Sequence, residues 1–185
     1  MTTLSIVILV CAVVAIAVLA WYFLHRRRTQ QLRHRFGPEY QYAVTQYGGQ
    51  GKAEEALLQR QKRREKLHIR PLSAQEKERF AGEWYDVQNR FVDDPPGSIR
   101  EADDLVSEVL KARGYPMAEF EHRAEDLSVD HPRVVRNFRA AHDIALRHEQ
   151  RQASTEDLRQ ALVYYRELFD DLLEAQSTGP RGVRE

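Results

Sequence analysis

Imidazole and carboxylate groups are the side chains that most readily bind metal ions or move protons near neutral pH, so the histidine-rich stretch of this chain is the first place to look for chemistry. His122, His131, His142 and His148 lie there among Asp130, Asp143 and Glu149. Metal ligands on one helix face need spacings of three or four. His142 and His148 are six apart, which turns them about 120° from one another around a helix axis. They do not converge locally, and the bland expectation is exposed or helix-capping histidines. A set drawn from distant positions, such as His122, His131 and Asp143, is the one arrangement that only a tertiary fold could assemble. Arg90, Asp93 and Asp94 form a second polar cluster, for which helix capping by the acids is sufficient. No P-loop, GxSxG, HExxH, paired CxxC or glycine-rich dinucleotide turn is present. The expectation is no catalytic residue, no metal site, no cofactor and no enzymatic activity. The alternative is a sensor or enzyme with a His/Asp/Glu-lined pocket between helices.

The elements that would position these groups read as helices throughout. Ser73-Ala74-Gln75-Glu76 is a capping box, and the following Phe80, Trp84, Val87 and Phe91 share one face at i, i+4, i+7 and i+11. The aromatic members, with Tyr164-Tyr165, could line a pocket, but at helical spacing they read first as core. Asp93-Asp94-Pro95-Pro96 stops that helix. The next starts from Asp94 or from Ser98 with Glu101, carries Ile99, Ala102, Val106, Val109 and Leu110 inward, and ends at Gly114. A short helix spans roughly 117–127. Asp130 then reads as the cap of a helix burying Val134, Val135, Phe138, Ala141 and Ala145, and Ser154 to Asp157 opens a last one with Leu158, Leu162, Tyr165, Leu168, Phe169 and Leu172 inward. The predicted core includes Phe80, Trp84, Val87, Phe91, Val106, Val109, Phe138, Leu162, Tyr165 and Phe169. The fold class is all-α, with a bundle of about four to five helices over 73–175 and a disordered tail over 176–185.

Ahead of the bundle, a three-residue tail leads into an uncharged run from Leu4 to Leu24. At about 1.5 Å per residue it spans roughly 30 Å, the thickness of a bilayer's hydrocarbon core. Nothing basic precedes it, and it passes through Trp21, Tyr22 and Phe23 into Arg26-Arg27-Arg28. That order reads as a permanent anchor rather than a cleaved signal, with the N-terminus outside and the C-terminal domain cytoplasmic. Cys11 is the only cysteine, which excludes an intrachain disulfide and a cysteine-based zinc site. Cys11, Ala12 and Ala15 give no clean small-xxx-small motif, so self-association stays open.

Gly37-Pro38 interrupts the helix leaving the membrane, Gly48, Gly49 and Gly51 end the next, and Lys52 to His68 reads as an exposed or lipid-lying helix. The net charge of zero hides an asymmetry. Residues 25–70 carry 12 Lys/Arg against 4 Asp/Glu, a net of +8, and the remainder a net of −8. Anionic headgroups attract juxtamembrane basic residues, so the basic segment and linker, 25–72, is expected to lie on the inner leaflet. Arg26, Arg27, Arg28, Arg33, Arg35, Arg60, Lys62, Arg63, Arg64 and Lys66 are the expected headgroup contacts. An acidic folded body argues against nucleic acid as a partner.

The stretches RFGPEY (35–40), KLHIRPLS (66–73), RFVDDP (90–95), ARGYP (112–116) and LSVDHP (127–132) resemble a family of uncharacterised bacterial proteins with one N-terminal hydrophobic segment and a helical domain. The resemblance implies a bacterial source and brings no activity, cofactor or catalytic residue; members are sometimes labelled secreted. The sequence thus points to a single-pass protein of a bacterial inner membrane. It would be a non-enzymatic interaction module whose partners are anionic lipid and an unidentified protein, the alternative location being the cell envelope or exterior.

Overall fold

The apolar and capping patterns resolve into eight helices and no strand among the described residues of a computed structural model, which describes the backbone of residues 3–174 and the side chains of residues 13–174. They are α1 (Thr3–Phe36), α2 (Pro38–Gln46), α3 (Gln50–Glu65), α4 (Ala74–Arg90), α5 (Pro95–Arg113), α6 (Phe120–Asp130), α7 (Val135–Glu149) and α8 (Thr155–Glu174). The expected tail over 176–185 and the side chains of Leu4 to Ala12 lie outside the described residues. Among the described residues, no helix is long and apolar enough to cross a membrane. The chain divides into two compact units, Met1–Leu57 and Leu58–Glu185, and the boundary falls inside α3 rather than in the linker before Ser73.

In the first unit the break at Gly37 is where the sequence puts it. Gly37 takes a left-handed φ of 48°, and Pro38 opens α2. Thr29, Leu32 and Phe36 form the buried stripe of α1, at spacings of three and four, and Tyr40, Ala43, Ala53 and Leu57 are also buried. Gly51 does not end α2; it lies within the first turn of α3, which begins at Gln50.

The second unit is built around α8, which lies against α7 and α5, with α4 against α5. Phe80, Trp84, Val87, Val106, Val109, Phe138, Tyr165 and Phe169 are buried, while Phe91 and Leu162 sit half-buried at the edge of the cluster. Trp84 stacks on Phe169 at 4.8 Å between ring centres, and the Tyr165 hydroxyl donates to Asp103 Oδ1 at 3.0 Å, which satisfies the polar atom of a fully buried ring. The capping box at Ser73 forms in full. Between the two possible starts of α5 the chain uses Asp94, whose carboxylate accepts from the Gly97 amide at 3.0 Å; Ser98 is buried instead. At α8, Ser154 and Asp157 cap one another reciprocally.

Asp130 corrects the sequence reading. It ends α6 rather than capping α7, which starts at Val135, and its carboxylate turns toward α3 and Tyr115. Gly114 ends α5 with φ of 94°, and its missing side chain matters twice: a Cβ there would lie 2.5 Å from the carbonyl oxygen of His68. The linker is held at this point by the Arg70 amide donating to Arg113 O at 2.9 Å. Replacing Gly114 with Ala is therefore expected to destabilise the chain by about 1–3 kcal/mol, from left-handed strain together with the clash, read as a lowered urea midpoint with unchanged slope.

Candidate functional site

The strongest concentration of chemistry-bearing groups is an arginine ladder between the C-terminal half of α3 and α6. Arg60, Arg63 and Arg64 share one face of α3 by their i, i+3, i+4 spacing. Arg60, whose side chain is only 1% exposed, donates through Nη2 to Glu125 Oε1 at 3.1 Å and through Nη1 to Ser128 Oγ at 3.4 Å. Arg63 reaches Glu125 Oε2 at 2.7 Å and Asp126 Oδ1 at 3.2 Å. Arg64 pairs with Asp130, which also accepts from the Tyr115 hydroxyl at 2.7 Å. Burial, and then the charge of Asp130, push the Tyr115 phenol far above its ordinary pKa, so it stays a hydrogen-bond donor.

This placement corrects the expected headgroup set. Arg60 is inside the protein, and Arg63 and Arg64 are paired with carboxylates of α6, so the helix that reads as lipid-lying has its arginine face turned to protein. Lys62 and Lys66 remain exposed, as do Arg26, Arg27, Arg28, Arg33 and Arg35 on α1. The Arg33 guanidinium lies over the Tyr40 ring, 5.2 Å from its centre.

In the first unit Glu54 is a buried carboxylate with three donors: Thr29 Oγ1 and the Tyr40 hydroxyl, each at 2.9 Å, and Gln50 Nε2 at 2.8 Å. Burial pushes its pKa up, but the hydrogen bonds from Gln50, Thr29 and Tyr40 outweigh that and hold it below the ordinary 4.5.

The histidines do not assemble. His131 is buried, with Nε2 3.2 Å from Arg113 Nη1 and Nδ1 against Asp171. A guanidinium can only donate, so Nε2 accepts and Nδ1–H donates to Asp171, which assigns one tautomer and leaves neither ring nitrogen open. Arg113 also donates to the Leu172 carbonyl at 3.2 Å, near the end of α8. His122 is exposed. His142 lies flat on Phe120 at 3.6 Å, and burial lowers its pKa. It lines a cleft of about 190 Å³ between α5 and α7 with Asp103, Asp104 and Glu149. Asp103 is already engaged by Tyr165. Among the described residues, no group of three or more His, Cys, Asp or Glu could hold a metal ion. The cluster of Arg90, Asp93 and Asp94 also separates: Arg90 pairs with Glu101 at 2.7 Å, while Asp94 caps α5.

Comparison with protein-family models, curated proteins and solved structures gives no match.

Sequence reasoning missed Glu125, Asp126, Tyr115, Arg113 and Asp171 as partners, because each is joined to a residue far away in the chain. One signal was available: three arginines on a helix face and, some 60 residues later, three carboxylates on another. Breaking a buried ion pair from one side typically costs about 3–5 kcal/mol. Glu125→Ala, which leaves the Arg60 charge buried without its carboxylate, is expected to lose that much in urea unfolding. Arg63→Ala, at a side chain 46% exposed, should lose only about 1 kcal/mol or less. For Glu54 the folded pKa is depressed, so its stabilisation is present above the ordinary carboxylate value and is lost as pH falls through the lower folded value. Thermal melts of the wild type should fall along that acid limb, and Glu54→Gln should flatten it.

Proposed function

We propose that the chain is a single-pass, membrane-anchored helical interaction module of the adaptor or scaffold kind, without catalytic activity. Its N-terminus lies outside and its helical domain in the cytoplasm, and its partners are the lipid bilayer and a protein. The observation that carries this reading is the state of α1 beyond residue 12. Val13, Val14, Ile16, Val18, Leu19, Trp21, Tyr22, Phe23 and Leu24 are each more than half exposed, on every side of the helix. Burying such side chains is worth about 1.5–3 kcal/mol apiece, so leaving this length of helix in water costs on the order of 10 kcal/mol. A helix that is apolar all round belongs in a protein core or a bilayer, and among the described residues nothing covers it. The charge-free run extends back to Leu4, and Arg26-Arg27-Arg28 stands at its inner end. The resemblance of the motifs to a bacterial family makes the plasma membrane of a bacterium the location proposed.

The non-enzymatic reading draws on how the candidate groups are engaged. His131 has both nitrogens occupied, Asp103 holds Tyr165, and Asp130 holds Arg64 and Tyr115. The cleft beside His142 is the feature that favours the second reading, a small-ligand sensor.

Reporters fused after Glu174, one active only in the cytoplasm and one active only outside it, test the proposal together with alkaline extraction of membranes. The expected result is cytoplasmic activity in a fraction that alkali does not strip. External activity, or a shortened protein in the soluble fraction, would overturn it.

A further inference from the structure

Ten of the eleven Lys and Arg residues from Arg26 to Lys66, all but Lys52, are the expected lipid contacts, and the tertiary structure divides them. Three are engaged by α6: Arg60 by Glu125, Arg63 by Glu125 and Asp126, and Arg64 by Asp130. Three positive and three negative charges cancel there, so this face offers a lipid surface little net field. Arg33 is drawn over the Tyr40 ring.

Arg26, Arg27 and Arg28 have a different setting. Thr29, Leu32 and Phe36 mark the buried side of α1. At about 100° per residue, the three consecutive arginines fan over an arc of roughly 200° on the opposite side, and all three are exposed. They follow directly on the exposed apolar run that ends at Trp21, Tyr22, Phe23 and Leu24, and Trp21 stacks on His25 at 5.7 Å, one turn before Arg28. If α1 spans the bilayer with Leu24 at the edge of the hydrocarbon, the three guanidiniums fall within about 3–6 Å further along the axis, at the level of the phosphates. Arg33 and Arg35 come seven residues after Arg26 and Arg28, about 10 Å deeper into the aqueous side, which is close to a full Debye length at physiological salt. A planar guanidinium matches two phosphate oxygens at once, and a fan of three meets lipids around most of the helix rather than at one spot.

We infer that Arg26, Arg27 and Arg28 form a ring that binds the headgroup phosphates of anionic phospholipids, and that the arginines of α3 take no part because α6 holds them. The inference rests on the membrane reading proposed above. It adds which residues select lipid and which class of lipid they select. Anionic headgroups gain over zwitterionic ones because their phosphate charge is not balanced by an amine within the same molecule.

The test uses the full chain reconstituted in nanodiscs of phosphatidylcholine alone or of an equal mixture with phosphatidylglycerol. The lipids retained on the protein after partial detergent stripping are then identified by native mass spectrometry. At low salt the wild type should retain phosphatidylglycerol over phosphatidylcholine by about fivefold or more at each arginine of the ring, the equivalent of roughly 1 kcal/mol for one basic residue at the surface. The preference should shrink as salt is raised. The combined variant Arg26→Gln, Arg27→Gln, Arg28→Gln should retain the two lipids equally. The same three positions changed to Lys should keep most of the selection, and Arg63→Gln should leave it at the wild-type level. Equal retention by the wild type, or undiminished selection by the triple Gln variant, would overturn the ring. Loss of selection in Arg63→Gln would overturn the exclusion of α3. A wild-type chain that fails to enter nanodiscs and stays in solution would instead refute the membrane reading itself, so the two failures are distinguishable.

Discussion

A guanidinium taken out of water must be met by a carboxylate and by hydrogen-bond acceptors, since the desolvation penalty for an ion is several kcal/mol even after relaxation. Arg60 imposes that condition on this protein. Its side chain is buried, and Glu125 and Ser128 stand where its Nη atoms need them. Glu125 is in turn shared with Arg63, and Ser128 donates to the Glu125 carbonyl at 2.5 Å, so α6 must present one particular face to the end of α3. An apolar contact of the same area would tolerate small rotations of either helix. An ionic one does not, because hydrogen-bond energy falls steeply with misalignment.

The same polar logic runs on from α6 into the bundle. Asp130 accepts from Arg64 and Tyr115, and the neighbouring His131 accepts from Arg113 at Nε2 and donates a hydrogen bond through Nδ1–H to Asp171. Arg113 closes the chain of contacts on the Leu172 carbonyl and, at 3.5 Å, on the Arg70 carbonyl. Buried polar chains of this kind define a unique arrangement when every member is satisfied. They also consume the groups that could otherwise act on a substrate. Each engaged oxygen or nitrogen is one fewer free acid, base or ligand.

The charge distribution takes on a different meaning once the pairs are known. Read along the chain, the basic segment and the acidic body look like two opposed surfaces. Read in three dimensions, part of each cancels the other within the second unit, across α3 and α6. The arginine cluster that directly follows the apolar run is exposed. In the first unit Glu54 makes a smaller version of the same arrangement, a carboxylate enclosed by three neutral donors, which joins α1, α2 and α3 around one atom, Oε1.

Much of the architecture was legible from residue order alone, because the signals involved are local. The Ser73 and Ser154 caps, the break at Gly37-Pro38, the stop at Gly114 and the stripe of Phe80, Trp84 and Val87 all depend on neighbours within one or two helical turns. The uncharged run and the arginines after it are equally a property of sequence. What tertiary structure alone decided is which charge meets which. Asp130 satisfies the rules for a cap as well as it satisfies those for an ion-pair partner, and Arg60 has the same local pattern as a solvated lysine-rich face. The choice between these fates depends on what lies across the gap some 60 residues away. Electrostatic and desolvation energies are set by distance and burial, and neither is a property of spacing along the chain.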